Sequence, residues 1–136
     1  MRYRNLGFLA LAMIAAATPT TPLRAHHSFA AEYDSKQPVK VTGAVTKVEW
    51  MNPHVYFYID VKDEQTGRVT NWAWEMGAPA VIQRNGWTRN SMKIGDLVIV
   101  DGTRAKSGAP HGNARSVTMA STGKRLGAGS SETTNP

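Results

Sequence analysis

HVYFYIDVKD (residues 54–63), EQTG (64–67) and VTNWAWEM (69–76) read together as a β-hairpin, and this hairpin decides the fold. In the first run Val55, Phe57, Ile59 and Val61 share one face, and Tyr56, Tyr58 and Asp60 share the other. That two-residue period is the mark of a strand with one buried face. In the second run Trp72, Trp74 and Met76 fall on one face, with Ala73 and Glu75 opposite. The polar EQTG segment between them ends in glycine and suits a turn.

Working outward, VKVTGAVTKVEW (39–50) is β-branched and alternating, with Gly43 expected to mark a bulge. Met51-Asn52-Pro53 is a turn, because proline fixes its own φ and pushes the residue before it away from helix. Downstream, PAVIQ (79–83) reads as a short helix, with proline suited to its first turn and Gly86 to its stop. Residues 87–95 connect it to a buried strand, DLVIVDGTR (96–104). A flexible loop is expected over 106–111, then a last strand over 113–120 that 124–126 extends.

The order is three strands, a short helix and two strands. That predicts an all-β fold with small α content: a five-stranded barrel like the oligonucleotide/oligosaccharide-binding (OB) fold, with its helix between strands 3 and 4. A partly open sandwich is the alternative. Closing the sheet removes the exposed edges that a small β domain must otherwise protect. The domain is placed at 39–126. Residues 26–38 form an N-terminal arm, and the polar GAGSSETTNP (127–136) a disordered tail.

The first 25 residues have the layout of an export signal. Arg2 and Arg4 give a positive start, LGFLALAMIAAA (6–17) is a 12-residue apolar run, and TPTTPLRA (18–25) is polar and ends in a small residue. The run is shorter than the roughly 20 apolar residues that span a bilayer. Cleavage is expected after Ala25, which makes His26 the first mature residue; Ala17 is the other site with small residues before it. The protein is therefore expected in the periplasm or secreted, with no stable membrane insertion after cleavage.

The chain has 136 residues, 41% hydrophobic and 19% charged, as befits one globular domain. Of its 16 basic residues, Arg2, Arg4 and Arg24 leave with the signal. The remaining 13 face 10 acidic residues, a mature charge of about +3, and the basic residues are scattered. Charge so modest, together with export, argues against nucleic acid as a partner. No cysteine is present, which excludes disulfides, thiolate metal sites and cysteine nucleophiles.

Several blocks resemble an uncharacterised family of small exported bacterial proteins. They are HHSFAAEYD (26–34), VTG (41–43), VEWMNPH (48–54), WAWE (72–75), RNGW (84–87) and KIGD (93–96). The resemblance implies export and a barrel-like fold, and it transfers no catalytic residue. The GDLVIVDG stretch (95–102) resembles periplasmic OB-type domains more loosely.

Chemistry falls on two constellations. The first is the histidines His26, His27, His54 and His111. With cleavage after Ala25, His26 offers its α-amine and its ring to one ion. His27 and His54 are candidates to add nitrogens, and His111, least favoured, to close over the site from its loop. Nitrogen ligands in a tetragonal set suit Cu(II). The plainer readings are an arm that binds no metal physiologically, a turn histidine at 54 bonded to a backbone carbonyl, and a solvated one at 111.

The second constellation is a candidate ligand face of Trp50, Tyr56, Tyr58, Trp72, Trp74 and Glu75, since aromatic residues on the first strands of an OB barrel can stack a ligand. Core packing is the plainer reading for Trp72 and Trp74, and Trp87 is expected to plug one barrel end. Glu49 and Glu75 lie near strand ends, but paired-carboxylate chemistry depends on a separation that sequence does not give.

No hydrolase triad order, phosphate loop or zinc-hydrolase helix motif is visible. The leading expectation is thus a non-enzymatic exported binding module, with copper as its one candidate cofactor. The alternatives are a metal-free adaptor for a glycan, peptide or envelope protein, and an oxidative copper enzyme.

Overall fold

A computed structural model describes residues 29–134. The chain runs α1 (Phe29–Glu32), β1 (Tyr33–Glu49), β2 (Tyr56–Lys62), β3 (Val69–Glu75), α2 (Pro79–Arg84), β4 (Leu97–Ala105), β5 (His111–Met119) and β6 (Arg125–Gly127), then a 3-10 turn at Ser131–Thr134.

The hairpin forms where expected. Asp63 Oδ1 accepts from the backbone N–H groups of Gln65 (2.8 Å) and Thr66 (2.9 Å), an Asx-type turn that sets the β2–β3 register. That register pairs Tyr56 with Glu75 and Lys62 with Val69.

The strands lie in the order β3-β2-β1-β4-β5-β6, and a parallel pairing of β3 with β5 closes the first five into a ring. With α2 between β3 and β4, this is the OB-like, all-β barrel that the element order predicted. β6 is an addition on the outer edge of β5.

β1 is long because it serves two partners. Its Pro38–Ala44 portion pairs with β4 and its Ala44–Glu49 portion with β2. The register slips between Val45 and Lys47. Gly43 is therefore not the bulge. Its lack of a side chain instead lets β2 approach, since a Cβ there would stand 2.5 Å from the carbonyl oxygen of Asp60.

The core fills the ring. Phe57, Ile59, Trp74, Val98 and Val100 are fully enclosed, and Ile82 of α2 closes over them. Trp74 packs its six-membered ring close to two glycines. A Cβ at Gly112 would meet its Cζ3 at 2.5 Å, and one at Gly102 would meet it at 2.7 Å. Trp72 stacks on Trp74, with ring centroids 5.6 Å apart. Trp87 joins the same core and anchors its Nε1–H on the Gly127 carbonyl at 2.9 Å.

Both ends of the described chain depart from expectation. The barrel begins before residue 39, inside the arm: Phe29–Glu32 is helical and Tyr33 already opens β1. Phe29, Tyr33 and Ala105 form a second small apolar cluster on the outside of the barrel. Residues 127–134 are not a loose tail. Ala128 is buried and bonded on both sides, donating to the Arg115 carbonyl at 2.9 Å and accepting from Gly77 at 2.8 Å. Composition hid the Ala128 anchor because backbone groups make it. Among the described residues no helix is long and apolar enough to cross a membrane.

Candidate functional site

The parallel β3–β5 seam sets Glu75 beside Asn113, and the alternation that sends Trp74 inward sends Glu75 outward. It does not reach solvent. The start of β1 lies over it, leaving Glu75 7% exposed. A buried carboxylate is costly unless its lone pairs are occupied. Here Tyr33 Oη donates to Glu75 Oε2 at 3.0 Å and Tyr56 Oη donates to the same oxygen at 2.8 Å. Asn113 Nδ2 donates to Oε1 at 3.3 Å. Ser130 Oγ in turn donates to Asn113 Oδ1 at 2.6 Å, fixing the amide.

The two phenols hold their protons firmly. Burial raises Tyr33 well above the usual phenol range, with the charges of Glu75 and Glu32 adding to it. Burial also raises Tyr56, helped by its hydrogen bond to Glu75. Both are fixed donors, and Glu75 is their acceptor.

Two histidines flank this carboxylate. His54 Nδ1 lies 3.1 Å from the Met76 carbonyl, an acceptor, so Nδ1 carries the hydrogen. The same nitrogen is 3.7 Å from Glu75 Oε1. Its Nε2 is left with a free lone pair in the neutral ring. His111 Nε2 lies 3.0 Å from Tyr33 Oη, and its Nδ1 lies 3.5 Å from Glu32 Oε1. The rings of Phe29, Tyr33 and His111 form a chain of contacts, 5.3 Å and then 5.4 Å between centroids.

Of the residues singled out from sequence, the structure thus gathers His54, Tyr56, Glu75 and His111 on one outer seam. His111 is the first residue of β5, paired with Ala73, rather than part of a loose loop. His54 makes the backbone bond that a turn histidine makes. His26 and His27 lie outside the described residues.

The aromatic face does not hold together as a ligand surface. Trp72 and Trp74 are core. Trp50 is half-buried beneath Arg89, whose guanidinium carbon is 5.7 Å from the ring centroid. Tyr58 belongs to a separate surface cluster, donating to Glu49 Oε2 at 2.9 Å under the Lys47 ammonium.

Sequence reading missed Glu32, Tyr33 and Asn113. Tyr33 sat in a segment without periodicity, and its role depends on the pairing of β1 with β4. Asn113, the lone amide in a strand whose buried residues are otherwise small or aliphatic, carried a faint signal.

Among the described residues no three histidine, aspartate or glutamate side chains are grouped to hold a metal ion. The seam offers oriented imidazole nitrogens and a carboxylate, but any metal set made from it needs donors from elsewhere.

No curated protein matches the chain. A family model does, over residues 12–115, from the apolar run through the middle of β5. The chain therefore belongs to that family, a family of unknown function named DUF6152.

Proposed function

We propose that the protein is an exported, non-enzymatic copper-binding module whose mature N-terminal histidines meet the Glu75 seam. The observation that carries this reading is the position of α1. Phe29 sits against Tyr33, and Tyr33 bridges Glu75 and His111. His27 is two residues before Phe29, a reach of at most about 7 Å. With cleavage after Ala25, that reach would bring the His27 imidazole and the His26 amine and ring toward a seam that already presents histidine nitrogens.

The histidine geometry supports it further. Metal-ligating histidines characteristically donate one ring N–H to a carbonyl, carboxylate or similar partner, which aims the other nitrogen. His54 does this through Met76. Without cysteine, a nitrogen-rich set suits Cu(II) over softer ions.

The test starts with intact mass of the exported protein, where cleavage after Ala25 is expected. Cu(II) titration followed by EPR should then give a nitrogen-rich spectrum and submicromolar affinity. His26→Ala should abolish the tight phase. A mature chain beginning elsewhere, or tight binding indifferent to His26→Ala, overturns the reading.

A second reading, a metal-free adaptor, keeps one observation in its favour. Tyr58 and Trp50 are each partly exposed beside a cation, and each pairing suits contact with a polar or anionic ligand. Quenching of tryptophan fluorescence by a glycan or peptide after EDTA treatment would favour it.

A further inference from the structure

We infer that His111 Nδ1 and Glu32 Oε1 form half of a tetrahedral divalent-cation site of the zinc type. This goes beyond the copper reading and does not depend on where the signal is cut.

The inference begins with counting protons. Tyr33 has one hydroxyl hydrogen, and the buried Glu75 carboxylate takes it at 3.0 Å. His111 Nε2 lies 3.0 Å from the Tyr33 hydroxyl oxygen, and with that hydrogen given to Glu75 it must supply one of its own. In the neutral ring this leaves Nδ1 with a bare lone pair. What it faces is Glu32 Oε1, a second lone-pair group, 3.5 Å away. Something positive belongs between them.

A proton is the simplest candidate, and the distance argues against it. A charge-assisted N–H···O⁻ bond closes to about 2.7–2.9 Å. Metal bonds of about 2.0–2.2 Å from nitrogen and oxygen place a cation between the two atoms, and a 3.5 Å span then opens an angle of about 115° at the ion. That is close to tetrahedral. Neighbouring ligands of a square-planar ion would stand only about 2.9 Å apart with such bonds. The pair therefore selects a tetrahedral geometry, unlike the planar set expected of Cu(II).

The surroundings fit. The two side chains are 26% and 38% exposed, so an ion can enter and water can fill its other positions. The Glu75–Tyr33–His111 chain is the outer-shell support that aims a ligating imidazole. Glu32 is held from behind by its own backbone, whose carbonyl accepts from Lys106 N at 2.9 Å.

Co(II), a spectroscopic substitute for Zn(II), tests the site in the chain from residue 26 with one extra methionine in front, which removes the free histidine amine. Intense visible bands of tetrahedral cobalt, displaced by Zn(II), are expected. His111→Gln and Glu32→Gln should each abolish them with circular dichroism unchanged. Tyr33→Phe, which removes the hydroxyl linking Glu75 to His111 and leaves both metal ligands in place, should weaken binding by about 10–100-fold. Weak octahedral-type bands, or bands that survive both ligand variants, overturn the inference and leave the copper reading standing. Tetrahedral bands in a protein whose Cu(II) binding ignores His26→Ala would retain the site and discard the copper reading. An ordinary protonated ion pair predicts no tetrahedral cobalt binding, and that result also overturns the inference.

Discussion

The inside of the barrel and its outer β3–β5 seam meet at adjacent residues of β3, Trp74 facing in and Glu75 facing out, yet the two are held in different ways. Inside, Trp74 is fixed by shape, pressed against glycines on β4 and β5. Outside, its chain neighbour Glu75 is fixed by direction, with each carboxylate oxygen matched to named donors. Shape tolerates hydrophobic substitution of similar volume, whereas a satisfied buried network fails when a single partner is lost. The interior therefore secures the fold, and the seam secures orientation.

The largest blow to this contrast is Trp74→Ala. The indole is wholly enclosed, and the glycines beneath it carry no side chain to fill the space. A loss of about 3–5 kcal/mol is expected in urea denaturation, enough to unfold much of a domain this small.

Glu75→Leu tests the other side at similar volume. It leaves the Tyr33 and Tyr56 hydroxyls and the Asn113 amide without their acceptor, at about 1–3 kcal/mol. Glu75→Gln keeps an acceptor oxygen and should lose less. Equal losses for the leucine and glutamine variants would mean that the seam is held by packing after all.

The mildest probe is alkaline titration of the metal-free protein. Tyr33 and Tyr56 are raised in the folded state, so the fold binds their protons more tightly than the unfolded chain does. That stabilisation is complete below the ordinary phenol range near pH ~10 and drains away as pH rises past it. Phenolate absorbance should appear together with loss of near-ultraviolet dichroism. Smooth ionisation of a still-folded protein near pH ~10 would show the two hydroxyls to be unconstrained.

The same contrast explains what could be read from sequence. The interior announced itself because strand alternation is local: residues 55–61 and 72–76 each display their buried face within a few positions. The barrel order followed from punctuation by Pro53, Pro79 and Gly86. The seam was only partly legible. His54, Tyr56, Glu75 and His111 were visible as chemical types, but their meeting depends on β3 lying parallel to β5, a pairing no local pattern encodes. Tyr33 and Glu32 were lost in an arm whose order comes from β4. The C-terminal segment was misread for a related reason, since Ala128 is held by main-chain groups of Arg115 and Gly77.

The divided allegiance of β1 also bears on how the chain reaches this state. Its first residue pairs with Ala105 and its last with Tyr56, and the ring closes only through β5. Nearly the entire polypeptide must therefore be present before any closed structure can exist, which makes folding slow compared with a helical domain of equal length. Until β5 arrives the strands remain an open ribbon. For the export proposed above, that delay would be an interval during which the chain is still threadable through a narrow pore.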